Sequence, residues 1–314
     1  MIAREGLAGL SAGPNAAGLE ALLDASGLTG KRLDSFHVTF MLAPRINAAG
    51  RMSSPELAAE LLLLKGRDPA TRARARDLAQ LLAGENTRRQ EQEAAIVAEA
   101  KKSVEKDPAI GAHHVLVVAG EGWHRGVIGI VASKLVDAFH RPAIVLSSDG
   151  GVAHGSCRSI PSFDMLAALE SCADVMSKFG GHKQAAGLTI ESRRVRELRA
   201  RVNDYADDRL GPDDLRPRLW LDGTLGFRAI DEQVVEELST MAPFGAGNRT
   251  PIFRTGQVEV VDGPRRLKER HLKMSFKQDG RILRGVAWRA IEREAFITSH
   301  RSGLDVAYSL SQDT

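Results

Sequence analysis

The spacing of apolar residues divides the chain into a helical first third, a mixed middle and a strand-rich end. Apolar positions recur at helical spacing over residues 16–25 and 55–64, which predicts two short helices. Between them residues 44–51 read Pro-Arg-Ile-Asn-Ala-Ala-Gly-Arg, a small-residue turn with two arginines flanking Asn47. Residues 68–107 predict one long helix, with an N-cap carboxylate at Asp68, a proline in the first turn and Asp107-Pro108 as its close. Leu78, Leu81, Leu82, Val97, Ala100 and Val104 mark an intermittent apolar stripe along it. Glu85 and Arg89 are spaced for an i,i+4 pair, the charges are expected to be solvated, and Gly84 is where a small break is expected. Thirty-odd residues at ~1.5 Å each reach on the order of 50 Å, enough to link two lobes.

The pattern then changes. Residues 113–119 are short, β-branched-rich and bounded by Gly120, as a buried strand is, while Ile128, Val131, Leu135 and Phe139 return to helical spacing. A second strand over 143–147 completes a βαβ unit, another begins near Val152, and a helix over 192–208 ends before the breaker Gly211-Pro212. Beyond it Val258 and Val260 alternate with polar neighbours, as do Leu272, Met274 and Phe276, and Asp279-Gly280 signals a hairpin. The expected fold is α/β (α+β): a segment over 1–67, a connecting helix over 68–107, a mixed α/β domain over 110–210 and a small, incomplete β-barrel over 215–314.

Three stretches carry candidate chemistry. Gly180-Gly181-His182, ahead of a small-residue run, reads as a turn whose backbone N–H groups and imidazole suit a phosphate or carboxylate. An ordinary tight turn with a surface histidine is the alternative. Trp123, His124 and Arg125 occupy the loop after the first strand of the βαβ unit, at the carboxyl edge of the sheet and the start of a helix, where ligands bind. Gly120-x-Gly122-x-x-x-Gly126 does not fit a dinucleotide fingerprint, which excludes a nicotinamide cofactor. In Gly155-Ser156-Cys157-Arg158-Ser159-Ile160, Ser156 and Arg158 project from one strand face, a hydroxyl beside a guanidinium fork able to pair two phosphate oxygens. A strand edge with a solvated arginine is the alternative.

Composition narrows the class. Hydrophobic residues at 43% and charged residues at 26% over 314 residues fit a globular chain of about two domains. Two cysteines make no disulfide framework or zinc spacing, and no apolar stretch approaches the roughly 18 residues of a membrane span, so a cytoplasmic protein with no membrane association is expected. Between Arg254 and Arg289 stand ten Lys or Arg against four Asp or Glu, whereas the whole chain carries +3. A basic strand face on a small barrel is the footprint of a single-stranded nucleic acid, with Lys273 on that face and Trp288 as a stacking platform.

In order and separation, residues 122–135, 155–160 and 179–190 resemble the DHH-associated domain of the RecJ single-stranded-DNA exonucleases. Residues 44–51 and Pro243-Phe244-Gly245-Ala246-Gly247-Asn248 extend the likeness. The resemblance implies an oligonucleotide-binding (OB) barrel at the end of the chain. It implies 5′-3′ exonuclease activity on single-stranded DNA in recombination and repair, dependent on Mn2+ or Mg2+. It also assigns Arg45, Asn47 and Arg51 to the scissile region, with Ser156, Arg158, Ser159, Gly180, Gly181, His182 and the 123–125 loop receiving the strand's end. Single-strand-binding protein or a helicase are the implied protein partners.

The family's two-metal centre includes an Asp-His-His triplet that this sequence lacks; His113-His114 follow Ala112. Asp204, Asp207 and Asp208 lie on an expected helix with no histidine among them, so this chain is expected to bind no metal and to lack catalytic residues. The resemblance implies that the metal domain precedes residue 1 and that the barrel continues past residue 314. Two alternatives stay open: a non-catalytic single-stranded nucleic-acid-binding module, or a DHH-family hydrolase of short oligonucleotides or small phosphoesters, which would not need the barrel.

Overall fold

The computed structural model describes residues 2–14 and 16–312; the outer limits of the first and last expected segments, Met1 and Asp313-Thr314, lie outside it. The chain forms two compact units, Gly6–Pro217 and Arg218–Thr314, the latter joined by the first residues of the chain.

Helix α1 (Ile2–Ala12) crosses the division at Gly6, and α2 (Ala17–Ala25) follows within the first unit. A π-helical turn, His37–Leu42, then runs directly into α3 (Ala43–Met52), followed by α4 (Pro55–Leu63). The stretch 44–51, expected as a turn, is therefore helical. Pro44 sits in the first turn, where no N–H is needed, and Ala48 and Ala49 are fully buried. Leu22, Leu28, Leu61, Leu78 and Leu82 form the core between these helices and α5.

Helix α5 (Pro69–Lys106) runs for 38 residues, capped by Asp68, whose Oδ1 accepts from the Thr71 N–H at 2.9 Å. No break occurs at Gly84. One glycine costs about 1 kcal/mol in a helix, and the burial of Ala79 and Leu82 on one side and Glu85 and Asn86 on the other outweighs it. The charge pairing also differs from expectation. Glu85 pairs with Arg88 at 3.0 Å and Arg89 pairs with Glu93, and both carboxylates are only 7% exposed, so two charges of this helix are buried while most of the others are exposed, as expected.

After α6 (Pro108–Gly111), the α/β domain consists of β1 (Leu116–Glu121), α7 (Arg125–Phe139), β2 (Ala143–Asp149), β3 (Val152–Arg158), α8 (Met165–Glu170), β4 (Lys178–His182), β5 (Ala185–Glu191) and α9 (Val195–Asp207). The sheet order is β1-β2-β3-β5-β4, with β1 parallel to β2 and the remainder antiparallel. One face packs on α8 and α9 through Ile144, Leu146, Leu188, Ile190 and Leu198. The other is covered over β1 and β2 by α7 and the end of α5, through Leu116, Val118, Val127, Val131 and Ile96. Over β5 and β4 this second face is open, and Gly187 is exposed although β5 is an interior strand.

Strand β1 starts at Leu116, three residues later than expected, because His114 is held outside the sheet by Asp207 at 2.6 Å. Its outer edge is closed by side chains of α9. The Asn203 amide accepts from the Val115 N–H at 2.8 Å and donates to the Val115 carbonyl at 3.2 Å, and Arg199 donates to the Val117 carbonyl at 3.0 Å.

In the second unit the order is β6 (Gly223–Thr224), α10 (Glu232–Thr240), β7 (Phe253–Leu267), β8 (His271–Gln278), β9 (Arg281–Ala287), α11 (Glu294–Ser299) and β10 (Leu304–Tyr308). The sheet runs β10-β7-β8-β9, with β6 parallel to β7. The 15-residue β7 pairs with β10 near its start and with β8 beyond, shifting register around Asp262, so the sheet curls into a half-barrel. Asp279 and Gly280, both at positive φ, turn β8 into β9 as the sequence predicts. Small cores form around Phe227 and Val258 and around Val260, Leu272 and Met274.

Candidate nucleic-acid interface

The start of α7 organises the site. His124 is its N-cap, with Nδ1 accepting from the Gly126 N–H at 3.1 Å, so the ring proton resides on Nε2. Trp123 is not a surface residue as expected: it is 5% exposed, its indole N–H donates to Glu99 at 3.0 Å, its carbonyl accepts from the Ser147 hydroxyl, and its ring covers Gly120. It anchors the loop from below and leaves Arg125 exposed at the first turn.

Two glycines three residues apart on α7 allow two other elements to approach. A side chain at Gly126 would collide with the Arg51 carbonyl, and here Arg51 donates to the Gly126 carbonyl at 2.9 Å. At Gly129 a Cβ would stand 3.0 Å from Ser156 Oγ and 3.2 Å from Arg158 Nη2. The end of α3, the start of α7 and strand β3 thus converge because this helix carries no side chains there.

Arg158 donates to Ser156 Oγ at 3.3 Å and to the Cys157 carbonyl at 2.7 Å, which fixes its guanidinium over the sheet. Partial burial, then the guanidiniums of Arg89 and Arg158, pull Arg51 below the ordinary arginine range, opposed by Glu93. Glu93 in turn receives both Arg89 and Lys134. Four cations against one buried carboxylate leave a strongly positive field, suited to an anion.

The Gly180-Gly181-His182 stretch is not a turn but strand β4; the hairpin turn proper is Lys183-Gln184. Gly181 takes φ +150°, and a Cβ there would lie 2.5 Å from Ala186 Cα, so the glycine serves the hairpin's closure. His182 and Arg158 both pair with Ala185, from opposite sides, so they share one cross-strand row. The next row on that face is Ser156, Gly187 and Gly180, and the one after it is His154, Thr189 and Lys178. The sequence reading missed His154, Lys178 and Thr189; stepping two residues back from Ser156 along the strand would have found the first.

Other expected residues stand apart. Arg45 donates to the Met41 carbonyl within its own helical segment, and Asn47 is exposed one turn before Arg51. The Ser159 hydroxyl donates to the Phe163 carbonyl and its N–H to the Gln184 carbonyl, so it shapes the exit from β3. Lys273 belongs to the second unit, exposed on β8 opposite Arg265 of β7. Among the described residues no group of three or more His, Cys, Asp or Glu side chains is placed to hold a metal ion, and no helix is long and apolar enough to cross a membrane.

Residues 112–208 match the DHHA1 domain and residues 221–314 the RecJ OB domain. Fold and site therefore define a DHH-associated domain followed by an oligonucleotide-binding barrel. The chain belongs to the RecJ family. It is 36% identical over 269 residues to the single-stranded-DNA-specific exonuclease RecJ of Bacillus subtilis, covering 84% of this chain and 33% of that protein. To RecJ of Escherichia coli it is 32% identical, covering 90% of this chain and 50% of that protein. The crystal structure of Thermus thermophilus RecJ in complex with Mn2+ superposes with a TM-score of 0.78 at 32% identity, over 100% of this chain and 44% of that one. The Mg2+ complex gives 0.76 over 99% and 46%. The chain thus spans between a third and a half of the length of the relatives it matches.

Proposed function

We propose that this chain is the substrate-holding portion of a RecJ-type 5′-3′ exonuclease acting on single-stranded DNA in recombination and repair, in the cytoplasm. Arg158, Ser156 and His182 would receive the 5′-terminal phosphate, Arg51 and the His124-Arg125 loop would flank it, and the basic half-barrel would hold DNA further along. The observation that carries this reading is the shared face of Arg158, Ser156 and His182, with Arg51 brought to the same helix start by Gly126.

Mg2+ and Mn2+ belong to the Thermus thermophilus structures. The described residues of this chain offer no ligand set for either ion, so no bond-breaking step is assigned to them. Their part is binding and orientation: a guanidinium fork and hydroxyl on phosphate oxygens, and an imidazole offering its N–H.

Arg158→Ala is expected to weaken binding of a 5′-phosphorylated oligonucleotide about 10- to 100-fold, while an unphosphorylated one loses far less. Equal losses would move the phosphate site elsewhere. Degradation of single-stranded DNA by this chain alone with Mn2+ would overturn the reading of it as the substrate-holding portion.

A further inference from the structure

We infer that a cavity between α9 and the residues just before β1 binds a single nucleoside 5′-monophosphate, its phosphate on Arg196 and Arg199 and the N–H edge of its base on Asp204. This rests on the proposed exonuclease function and extends it. When water attacks the second phosphorus of a 5′-phosphorylated strand and displaces the 3′ oxygen, the first residue leaves as a 5′-monophosphate, so that reaction supplies the ligand.

The cavity measures about 320 Å³, at the small end of the ~300–1,000 Å³ range of ligand pockets. It lies against α9, which covers the face of the sheet opposite α7. Arg196, Ala200 and Asp204 succeed one another at i,i+4 spacing along the helix, Arg199 and Asn203 stand beside them, and His113 completes the wall.

Some polar groups here are committed to the fold. The Asn203 amide is taken up by Val115 and the Arg199 carbonyl, and Asp207 by His114. Others are not. Arg196 and Asp204, both exposed, make no hydrogen bond or ion pair among the described residues. Arg199 spends Nη2 on the Val117 carbonyl, but its Nε–H is buried without a partner, and so is His113 Nδ1. Buried polar atoms in folded proteins are nearly always met, so two orphans on one cavity wall point to a polar guest. Burial pulls Arg199 below the ordinary arginine range, with Asp107 opposing and Arg196 adding to the effect, and an anion against both guanidiniums would reverse it.

Two guanidinium forks suit the oxygens of a phosphate monoester. The Asp204 carboxylate repels phosphate and accepts from N–H groups instead, of which guanine presents two side by side. Arg196 and Asp204 are about 12 Å apart along the helix axis at ~1.5 Å per residue, and the reach of both side chains shortens the gap, so one nucleotide fits and two do not. Ala200 between them leaves the floor clear for base and sugar.

The test is calorimetry on this chain in chloride buffer with deoxyguanosine 5′-monophosphate and with inorganic phosphate, beside thermal unfolding. Two equivalents of the monophosphate are expected, one at Arg158 and one in the cavity, and Arg158→Ala should leave only the second. In that background Arg196→Ala and Ala200→Leu should each remove the remaining equivalent. The unfolding midpoint should hold, since both positions are exposed and alanine and leucine are strong helix formers. Asp204→Ala should weaken the monophosphate in the cavity about tenfold and leave inorganic phosphate unchanged. A folded Ala200→Leu protein that still binds two equivalents, or an Asp204→Ala loss equal for both ligands, would overturn the cavity site; should Ala200→Leu unfold the domain, Arg196→Ala decides. If Arg158→Ala leaves both equivalents and the 5′-phosphate preference for oligonucleotides intact, the end-binding reading falls and the cavity stands. If Arg158→Ala removes the only equivalent, the cavity alone falls.

Discussion

The two sheets of this protein carry positive charge in opposite ways. Beside the α/β sheet four cations are held in place: Arg158 by Ser156 and a backbone carbonyl, Arg51 by the start of α7, Arg89 and Lys134 by the buried Glu93. On the half-barrel they are many and exposed, and several are paired at the surface, Arg254 with Asp305 at 2.6 Å, Arg265 with Asp262 at 2.8 Å and Arg266 with Glu294 at 2.7 Å. Exposed pairs contribute about 0–1 kcal/mol and yield to salt, whereas a buried pair is costly to break. The first sheet is organised to hold one anion in one place; the second is suited to a diffuse polyanion.

Removing the organising carboxylate should break this contrast most strongly. Glu93→Ala leaves Arg89 and Lys134 without their shared partner and is expected to cost about 2–3 kcal/mol in urea unfolding, below the fully buried case because Lys134 is half exposed. Discrimination of 5′-phosphate should fall with it. A loss under about 0.5 kcal/mol would put this site in the same class as the surface pairs. Next in size, Lys273→Ala and Arg265→Ala should each lower the salt slope of oligonucleotide binding by about 1 and leave 5′-phosphate discrimination unchanged. A change in discrimination would erase the distinction between the sheets. Smallest is Gly84→Ala on α5, where the site is open and helical: a gain of about 0.5–1 kcal/mol is expected by chemical denaturation, with both binding modes unaffected.

Much of the architecture was legible in local pattern. Asp68-Pro69 announced the long helix, Asp279-Gly280 the hairpin, and Ser156 and Arg158 shared a face by strand alternation alone. What escaped depended on contacts distant in sequence. Small residues in 44–51 look like a turn until a hydrophobic core is there to pack Ala48 and Ala49. A Gly-Gly-His run looks like a loop until β5 pairs with it, and Trp123 looks like part of a ligand-binding loop until Glu99, 24 residues earlier in the chain, takes its N–H. Charge counted along the chain misled in the same way. The excess of six between Arg254 and Arg289 ignores Glu294 and Asp305, which lie beyond that window and close two of its pairs.

Asn203 imitates a neighbouring strand, presenting to Val115 the donor and acceptor that a peptide group would present. With Arg199 beside it, the α/β sheet is sealed on its β1 flank against growth by added chain. A strand added to the edge of this sheet is left only the β4 flank, where the glycine strand lies. The two edges of the domain therefore differ in kind, one capped and one uncapped by α9, through an amide and a guanidinium on that helix.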